Sequence, residues 1–194
     1  MPTDRRTAIL EGAARVIARR GVRGMRVEEL AAEAGVSTAL VYYHFKDRAG
    51  ILRHTLEFIS DRADRYTAGA DDAGDAPDPR TELERTLLLE FQDLPEVREN
   101  STAWGELRAT AVFDAELRTD LTKAVLSWIH DVADLLGQAR PDAPAPAHTA
   151  SAERLTALLE GLSTRWLSGA LPLGHARELM REAISVETEH LSHH

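Results

Sequence analysis

Apolar residues recur at intervals of three and four positions along most of this chain, a spacing that places them on one face of an α-helix. The first stripe lies within residues 5–20 and is followed by Gly21, a predicted C-terminal cap. A second, shorter stripe from Val27 to Ala34 ends at Gly35. No stretch alternates apolar and polar residues for long enough to form a sheet, so the sequence predicts an all-α protein.

A third short helix is predicted immediately after Gly35. Ser37 or Thr38 can cap its start, and its apolar side carries Val41 and Phe45, four residues apart. The three short helices then share one small core. Because successive residues of a helix are rotated by about 100°, the side of the third helix opposite Val41 and Phe45 is predicted to face outwards.

Six longer helices are predicted downstream, and all eight prolines fall between helical stretches. Asp47 can cap the fourth helix, and Pro95 suits the first turn of the sixth. Two stretches rich in proline and in small or acidic residues, 67–80 and 138–148, are predicted to be loops. The chain thus divides into a head, residues 1–47, and a body, residues 48–194. The predicted body helices span about 48–66, 81–93, 95–111, 114–138, 150–170 and 173–191.

Charge separates the head from the body. The chain has a net charge of −9, yet residues 1–54 hold ten Lys and Arg against six Asp and Glu, whereas residues 55–194 hold thirteen against twenty-six. A cationic head suits the phosphates of nucleic acid, and the anionic body indicates a separate role. The chain has no cysteine and no apolar run near the roughly 20 residues of a membrane helix. These features predict a soluble, cytoplasmic protein.

The segment from Gly35 to Asp47 carries the most specific pattern in the chain. It reads Gly-Val-Ser, variable residues, an aliphatic residue, aromatic residues ending in Phe45, then Lys46 and a helix-capping residue. This segment resembles the helix-turn-helix of the tetracycline-repressor (TetR) family, and the resemblance covers about residues 5–53. It implies a DNA-binding transcription regulator, commonly a repressor, that binds palindromic operator DNA as a homodimer.

The outward side of the third helix supplies the predicted DNA contacts. Leu40 can meet a thymine methyl group in the major groove or fold back onto the head's own core. Thr38 can contact a base or only cap the helix. Arg26 lies where the family usually has hydroxyl residues, and it can bind phosphate with a full charge or remain a solvated arginine. The predicted set is Arg26, Ser37, Thr38, Ala39, Leu40, Tyr42, Tyr43, His44 and Lys46.

The body resembles the betaine-regulator branch of the same family through Trp104–Arg108, Trp128 and Gly161–Trp166. The resemblance implies a pocket for a small-molecule effector among helices five to eight, and a dimer formed by helices eight and nine. Aromatic rings line most small-molecule pockets, although at helical spacing they also form ordinary core. The predicted ligand-binding residues are Trp104, Arg108, Phe113, Trp128 and Arg165.

Dimerisation is also expected because one recognition helix reads few base pairs, so two heads must match half-sites about one helical turn apart. Helix eight carries an apolar stripe that offers a twofold seam or, alternatively, belongs to the chain's own core. The predicted interface residues are Leu155, Leu159, Leu162 and Trp166.

Two rival functions remain open at this point. An enzyme is disfavoured because the chain has no phosphate-binding glycine loop, no Gly-x-Ser-x-Gly and no His-Glu-x-x-His, and no cofactor or metal site is predicted. His190 and His194, four residues apart, are more simply a chain end than a metal pair. The second rival keeps the DNA-binding head but gives the body a protein partner in place of a ligand pocket.

Overall fold

A computed structural model describes residues 4–68 and 78–192. For residues 64–68 it describes the backbone only. Within these ranges the chain forms nine α-helices and no strand, which confirms the all-α prediction. None of these helices is long and apolar enough to cross a membrane. The helices are α1 Arg5–Gly24, α2 Val27–Glu33, α3 Thr38–Phe45, α4 Arg48–Ala68, α5 Pro79–Leu89, α6 Pro95–Ala111, α7 Ala115–Ala139, α8 Ala145–Leu167 and α9 Leu173–Leu191.

Two helix starts differ from the prediction, and both involve proline. Helix α5 begins at Pro79, with Asp78 as its cap, and α8 begins at Ala145, so that Pro146 lies in its first turn. Proline is tolerated there because the first N–H groups of a helix have no intrahelical acceptor. The predicted loop 138–148 is therefore shorter than expected. Residues 69–77 of the other predicted loop, and His194, lie outside the described ranges.

The first of two compact units joins the described residues up to Arg65 with Arg98–Ala124. Its core is one continuous apolar cluster to which the head, α4, α6 and the start of α7 all contribute. The fully buried members include Ile17, Phe45, Ile59 and Leu107. The head therefore shares its core with α4 and α6, while the division at residue 47 into a DNA-binding and a ligand-binding domain stays a prediction.

The second unit joins the described residues from Tyr66 to Val97 with those from Val125 onward. Helix α8 packs against α9, and α5 also packs against α9. The apolar stripe of α8 lies in this core: Leu155, Leu159, Leu162 and Trp166 are only 1%, 6%, 2% and 6% exposed within a single chain. The stripe therefore contributes to the chain's own core, one of the two alternatives that the sequence left open, and the part of these four residues in a dimer interface stays a prediction.

An ion pair joins α8 to α9 in the second unit. Arg154 donates to Glu187 through Nε at 2.7 Å and Nη2 at 2.6 Å, and the Ser151 hydroxyl donates to the same carboxylate at 2.8 Å. The hydrogen bond from Arg154 holds the pKa of Glu187 below its ordinary value, against the opposing effect of burial. The ionised carboxylate is thus the form that the folded protein prefers.

We predict that Glu187→Gln lowers the free energy of unfolding by about 1 kcal/mol at pH 7, because Arg154 is half exposed and such pairs are worth little more. A carboxyl whose pKa is lowered by folding stabilises the protein above its unfolded pKa, and this contribution is lost as the pH falls through the folded pKa. Urea titrations at pH 7 and pH 3 should show the gap between wild type and variant closing at pH 3. The exposed Glu182→Gln on α9 is the control, and an equal gap at both pH values would contradict the assignment.

Candidate DNA-binding site

The turn between α2 and α3 is closed by backbone hydrogen bonds. Gly35 has a φ of +65°, its N–H donates to the Ala32 carbonyl at 3.2 Å, and the Val36 N–H donates to the Ala31 carbonyl at 2.9 Å. This pair of bonds ends a helix with a left-handed residue, which suits glycine because it has no Cβ. Val36 then packs against the core. The turn fixes where α3 begins.

Ser37 is the cap of α3, because its hydroxyl accepts a hydrogen bond from the Leu40 N–H at 3.2 Å. Thr38 is the first helical residue and is half buried. Of the two caps that the sequence left open, the structure selects Ser37, which leaves the Thr38 hydroxyl available to a ligand. The amino end of α3 therefore presents backbone N–H groups together with two hydroxyl side chains, an arrangement suited to phosphate.

The rotation of α3 follows the prediction. Val41 and Phe45 are 0% and 2% exposed, whereas Tyr43 is 80% exposed and Tyr42 is 45% exposed. Ala39 and Lys46 are exposed as well. Leu40 and His44 are half buried, so Leu40 keeps part of its apolar surface open beside Ala39. The predicted DNA-contact residues of α3 thus share the side of the helix that the core does not use.

Arg26 is exposed and occupies the cap position of α2, where no side chain makes a capping hydrogen bond. The hydroxyl cap that is usual at this family position therefore has no equivalent in α2. Glu28 and Glu29 in the first turn of α2 compensate in part, because acidic residues stabilise the positive end of a helix. Among the described residues Arg23, Arg26 and Lys46 form no ion pair, whereas Arg15 and Arg19 pair with Glu33.

Lys46 closes the other end of α3 in an unusual conformation. Its φ is +66° and its ψ is −58°, and the Asp47 N–H donates to the Phe45 carbonyl at 2.8 Å across it. These are the features of the rare γ-turn with positive φ, which is strained for any residue with a Cβ. Lys46 is the only described residue other than glycine with a positive φ.

The start of α4 fits closely against this turn. Asp47 accepts a hydrogen bond from the Gly50 N–H at 2.7 Å, which confirms Asp47 as the cap of α4. A Cβ on residue 50 would lie 2.1 Å from the Phe45 carbonyl oxygen, so only glycine fits there. The angle between α3 and α4 is therefore fixed by backbone contacts, and the Lys46 side chain leaves the head beside the exposed face of α3.

The predicted ligand-binding residues fall in separate units. Trp104 and Arg108 are half buried in the first unit, and Trp128 is half buried against the core of the second. Phe113 is 83% exposed in the turn after α6, and Arg165 is exposed on α8. Phe113 lies in the turn between α6 and α7, and the part of Phe113 and Arg165 in ligand binding stays a prediction.

A groove of about 360 Å³ lies between α5 and α9 within the second unit. None of the five predicted ligand residues lines it. Arg177 lines the groove and donates hydrogen bonds to the carbonyls of Leu88 at 3.3 Å and Phe91 at 2.6 Å. These bonds give the carbonyls at the carboxyl end of α5 a partner. The other lining residues are Thr81, Glu84, Arg85, Leu89 and Gln92.

No local pattern predicts the contacts of three residues that shape the head. Gly50 is required by a contact with the backbone of α3, Arg48 donates to the Val22 carbonyl, and Glu106 accepts from the Val22 N–H at 3.0 Å. The last two contacts cross 26 and 84 positions of sequence, beyond the reach of any local pattern. Only the Trp104–Arg108 segment drew attention to Glu106 at all.

A three-helix head that exposes one side of its third helix, carried on a helical body, defines a helix-turn-helix transcription regulator. Comparison with known families agrees. Residues 9–55 match the tetR family of bacterial regulatory proteins, and residues 79–188 match the C-terminal part of BetI-type transcriptional repressors. The chain belongs to the tetR family, with a C-terminal part of the BetI type, and is a DNA-binding transcriptional regulator.

Individual relatives cover nearly the whole chain. A TetR-family regulator from Rhodococcus sp. is 44% identical, with a TM-score of 0.85 over 95% of this chain and 98% of that one. A transcriptional regulator from Saccharomonospora viridis, solved in complex with choline, is 27% identical, with a TM-score of 0.78 over 93% and 95%. The HTH-type transcriptional regulator BetI of Burkholderia thailandensis is 28% identical over 88% of this chain and 84% of its own length.

Lys46→Gly should change stability and DNA binding in opposite directions. Glycine should relieve roughly 1–3 kcal/mol of backbone strain at this position. Its greater conformational freedom in the unfolded chain should cost about 0.5–1 kcal/mol, so the free energy of unfolding should rise by about 1 kcal/mol. Loss of the ammonium should weaken duplex binding and lower the salt slope by about 0.9. Lys46→Ala is the matched control, since it removes the charge and keeps the Cβ. Chemical denaturation and binding at several salt concentrations measure both effects, and equal stability of the two variants would refute the strain.

Proposed function

We propose that the chain is a homodimeric repressor whose hold on operator DNA is released by a small molecule bound in its body. The observation that carries the DNA-binding half is the exposed side of α3, where Tyr43 is 80% exposed on a helix whose other side is buried. In this proposal Ala39, Leu40, Tyr43 and His44 meet bases in the major groove. Phosphates are held by the remaining predicted contacts, Arg26, Ser37, Thr38, Tyr42 and Lys46.

The proposed effector is a small quaternary ammonium compound such as choline. Two comparisons support this class: the C-terminal part is of the BetI type, and the similar regulator from Saccharomonospora viridis was solved with choline. Quaternary ammonium groups bind to the faces of aromatic rings, and indole is the best such face. Trp104 and Trp128, each half buried in its own unit, are the proposed contacts.

The dimer of the proposal uses the outer faces of α8 and α9. Because the leucines of α8 are largely buried in the core of the chain, much of the area must come from apolar side chains at the margin of this stripe and on α9, among which Leu158 is 37% exposed and Val186 is 58% exposed. Both lie on helices that pack against each other, and their burial by a partner would favour a dimer. The twofold axis would then place two copies of α3 at the two half-sites.

One pair of exposed apolar residues supports the alternative, a body that binds a protein partner. Val112 and Phe113, 63% and 83% exposed, stand next to each other in the turn after α6. Adjacent exposed apolar residues are typical of contact surfaces. A body of this kind would leave DNA binding unchanged by any small cation.

The Leu40 contact can be tested with an operator recovered by selection from a random pool of duplexes. Replacing single thymines by deoxyuridine removes only the methyl group. One replacement in each half-site should weaken binding of the wild type about fourfold per half-site, from roughly 0.8 kcal/mol of apolar burial. Leu40→Ala should bind the two duplexes equally. A wild type that tolerates deoxyuridine at every position would show that Leu40 packs only against its own head.

Choline release can be tested with the same duplex. Choline should weaken operator binding by the wild type, and Trp104→Phe or Trp128→Phe should shift the response to several-fold higher choline, because phenyl rings bind cations less well than indole. Trp166→Phe is the control, since Trp166 is 6% exposed and packs beside Phe91 in the core. If choline, tetramethylammonium and betaine all leave duplex binding unchanged, the result would favour the alternative in which the body binds a protein partner.

A further inference from the structure

Residues 21–26, which we call the α1–α2 turn, comprise the end of α1 beyond a break in its helix and the residues that lead to α2. Two long-range hydrogen bonds to Val22 hold this turn. The backbone leaves helical geometry at Gly21, whose φ is +70° and ψ is 165°. This break deprives the Val22 N–H of a carbonyl in the preceding turn, although Val22 is only 2% exposed. A buried N–H without an acceptor is strongly unfavourable, so the fold must supply one from elsewhere.

Glu106 of α6 supplies that acceptor. Its Oε2 accepts from the Val22 N–H at 3.0 Å, and a Cβ on residue 21 would lie 2.7 Å from the same oxygen. A Cβ here would have to displace the carboxylate, and the φ of +70° separately disfavours any residue other than glycine. Glutamate has the length to reach this point from α6, and its charge strengthens the hydrogen bond.

Arg48, the first residue of α4, completes the arrangement from the other side. Its Nη2 donates to the Val22 carbonyl, so that both backbone polar groups of Val22 are bound by helices outside the first two. The α1–α2 turn is thereby tied to the start of α4 and to the last turns of α6. All of these contacts lie within the first compact unit.

We propose that Glu106 is a positioning residue that holds the head in the orientation required for operator binding, through the hydrogen bond from the Val22 N–H. The residue touches no base or phosphate and acts through the α1–α2 turn. This inference depends on the DNA-binding role of the family and not on the effector proposed above, so it is tested without choline.

The test compares substitutions that separate length from charge. Glu106→Gln keeps an oxygen at the same distance and should bind the selected operator within about threefold of the wild type. Glu106→Ala removes the acceptor and Glu106→Asp withdraws it by one methylene, so both should bind at least about tenfold more weakly. Binding to a scrambled duplex and its salt slope should not change, because the cationic residues remain. Glu116→Ala, an exposed carboxylate at the start of α7 in the same unit, is the control.

A second measurement reports orientation directly. The chain has no cysteine, so Glu28→Cys on α2 and Ala109→Cys on α6, both exposed, can carry one pair of spin labels. Labelled protein is mixed with an excess of unlabelled protein so that each dimer holds one labelled chain. The distribution of distances should broaden in Glu106→Ala and Glu106→Asp and should stay narrow in Glu106→Gln.

The outcomes decide between positioning and a merely structural role. Operator binding as tight as the wild type in folded Glu106→Asp, with an unchanged distance distribution, would overturn the proposal. A loss in Glu106→Gln as large as that in Glu106→Asp would also overturn it, because the charge and not the hydrogen bond would then matter. If Glu106→Ala fails to fold, the Asp and Gln pair still gives the answer. A wild type that selects no duplex would instead count against DNA binding itself.

Discussion

The rotation of α3 about its own axis is the constraint on which the site depends. Val41 and Phe45 lie fully in the shared core, and exposing either would cost about 1.5–3 kcal/mol. No other rotation of an eight-residue helix buries both side chains, so Ala39, Tyr43 and Lys46 are turned to solvent together. The exposed side of α3 is therefore determined by which of its residues the core buries.

The ends of the head are controlled by backbone contacts more than by side-chain packing. Gly21 and Gly35 have positive φ, Lys46 is held in a γ-turn, and Gly50 approaches the Phe45 carbonyl too closely for a Cβ. Each of these points sets the angle between two successive helices. Together with the bonds to Val22, they make the head, α4 and much of α6 one rigidly connected unit with one core.

Most of the fold could be predicted because its signals are local. The glycine caps, the proline positions and the spacing of apolar residues place α6 and α9 at the residues where the structure has them. The same reasoning identified the buried and exposed sides of α3. Within the head, sequence and structure agree because three short helices leave few alternative ways to bury their stripes.

The rest could not be predicted because it depends on which surfaces meet. An apolar stripe such as that of Leu155 and Leu159 must be buried, but its periodicity is the same whether the neighbour is α9 or a second subunit. Phe113 was assigned from its residue type, and a turn after α6 places it in solvent. The contact between Glu106 and Val22 arises from tertiary packing alone.

The division of α3 into a buried and an exposed side bears on which of its positions tolerate substitution. Val41, Phe45 and Gly50 carry the packing, whereas the exposed Ala39 and Tyr43 contribute little to it. Exchanges at the latter positions can therefore accumulate with small losses of stability. The outer side chains of α3 are thus the part of the head that tolerates substitution most readily, while the backbone and core beneath them stay the same.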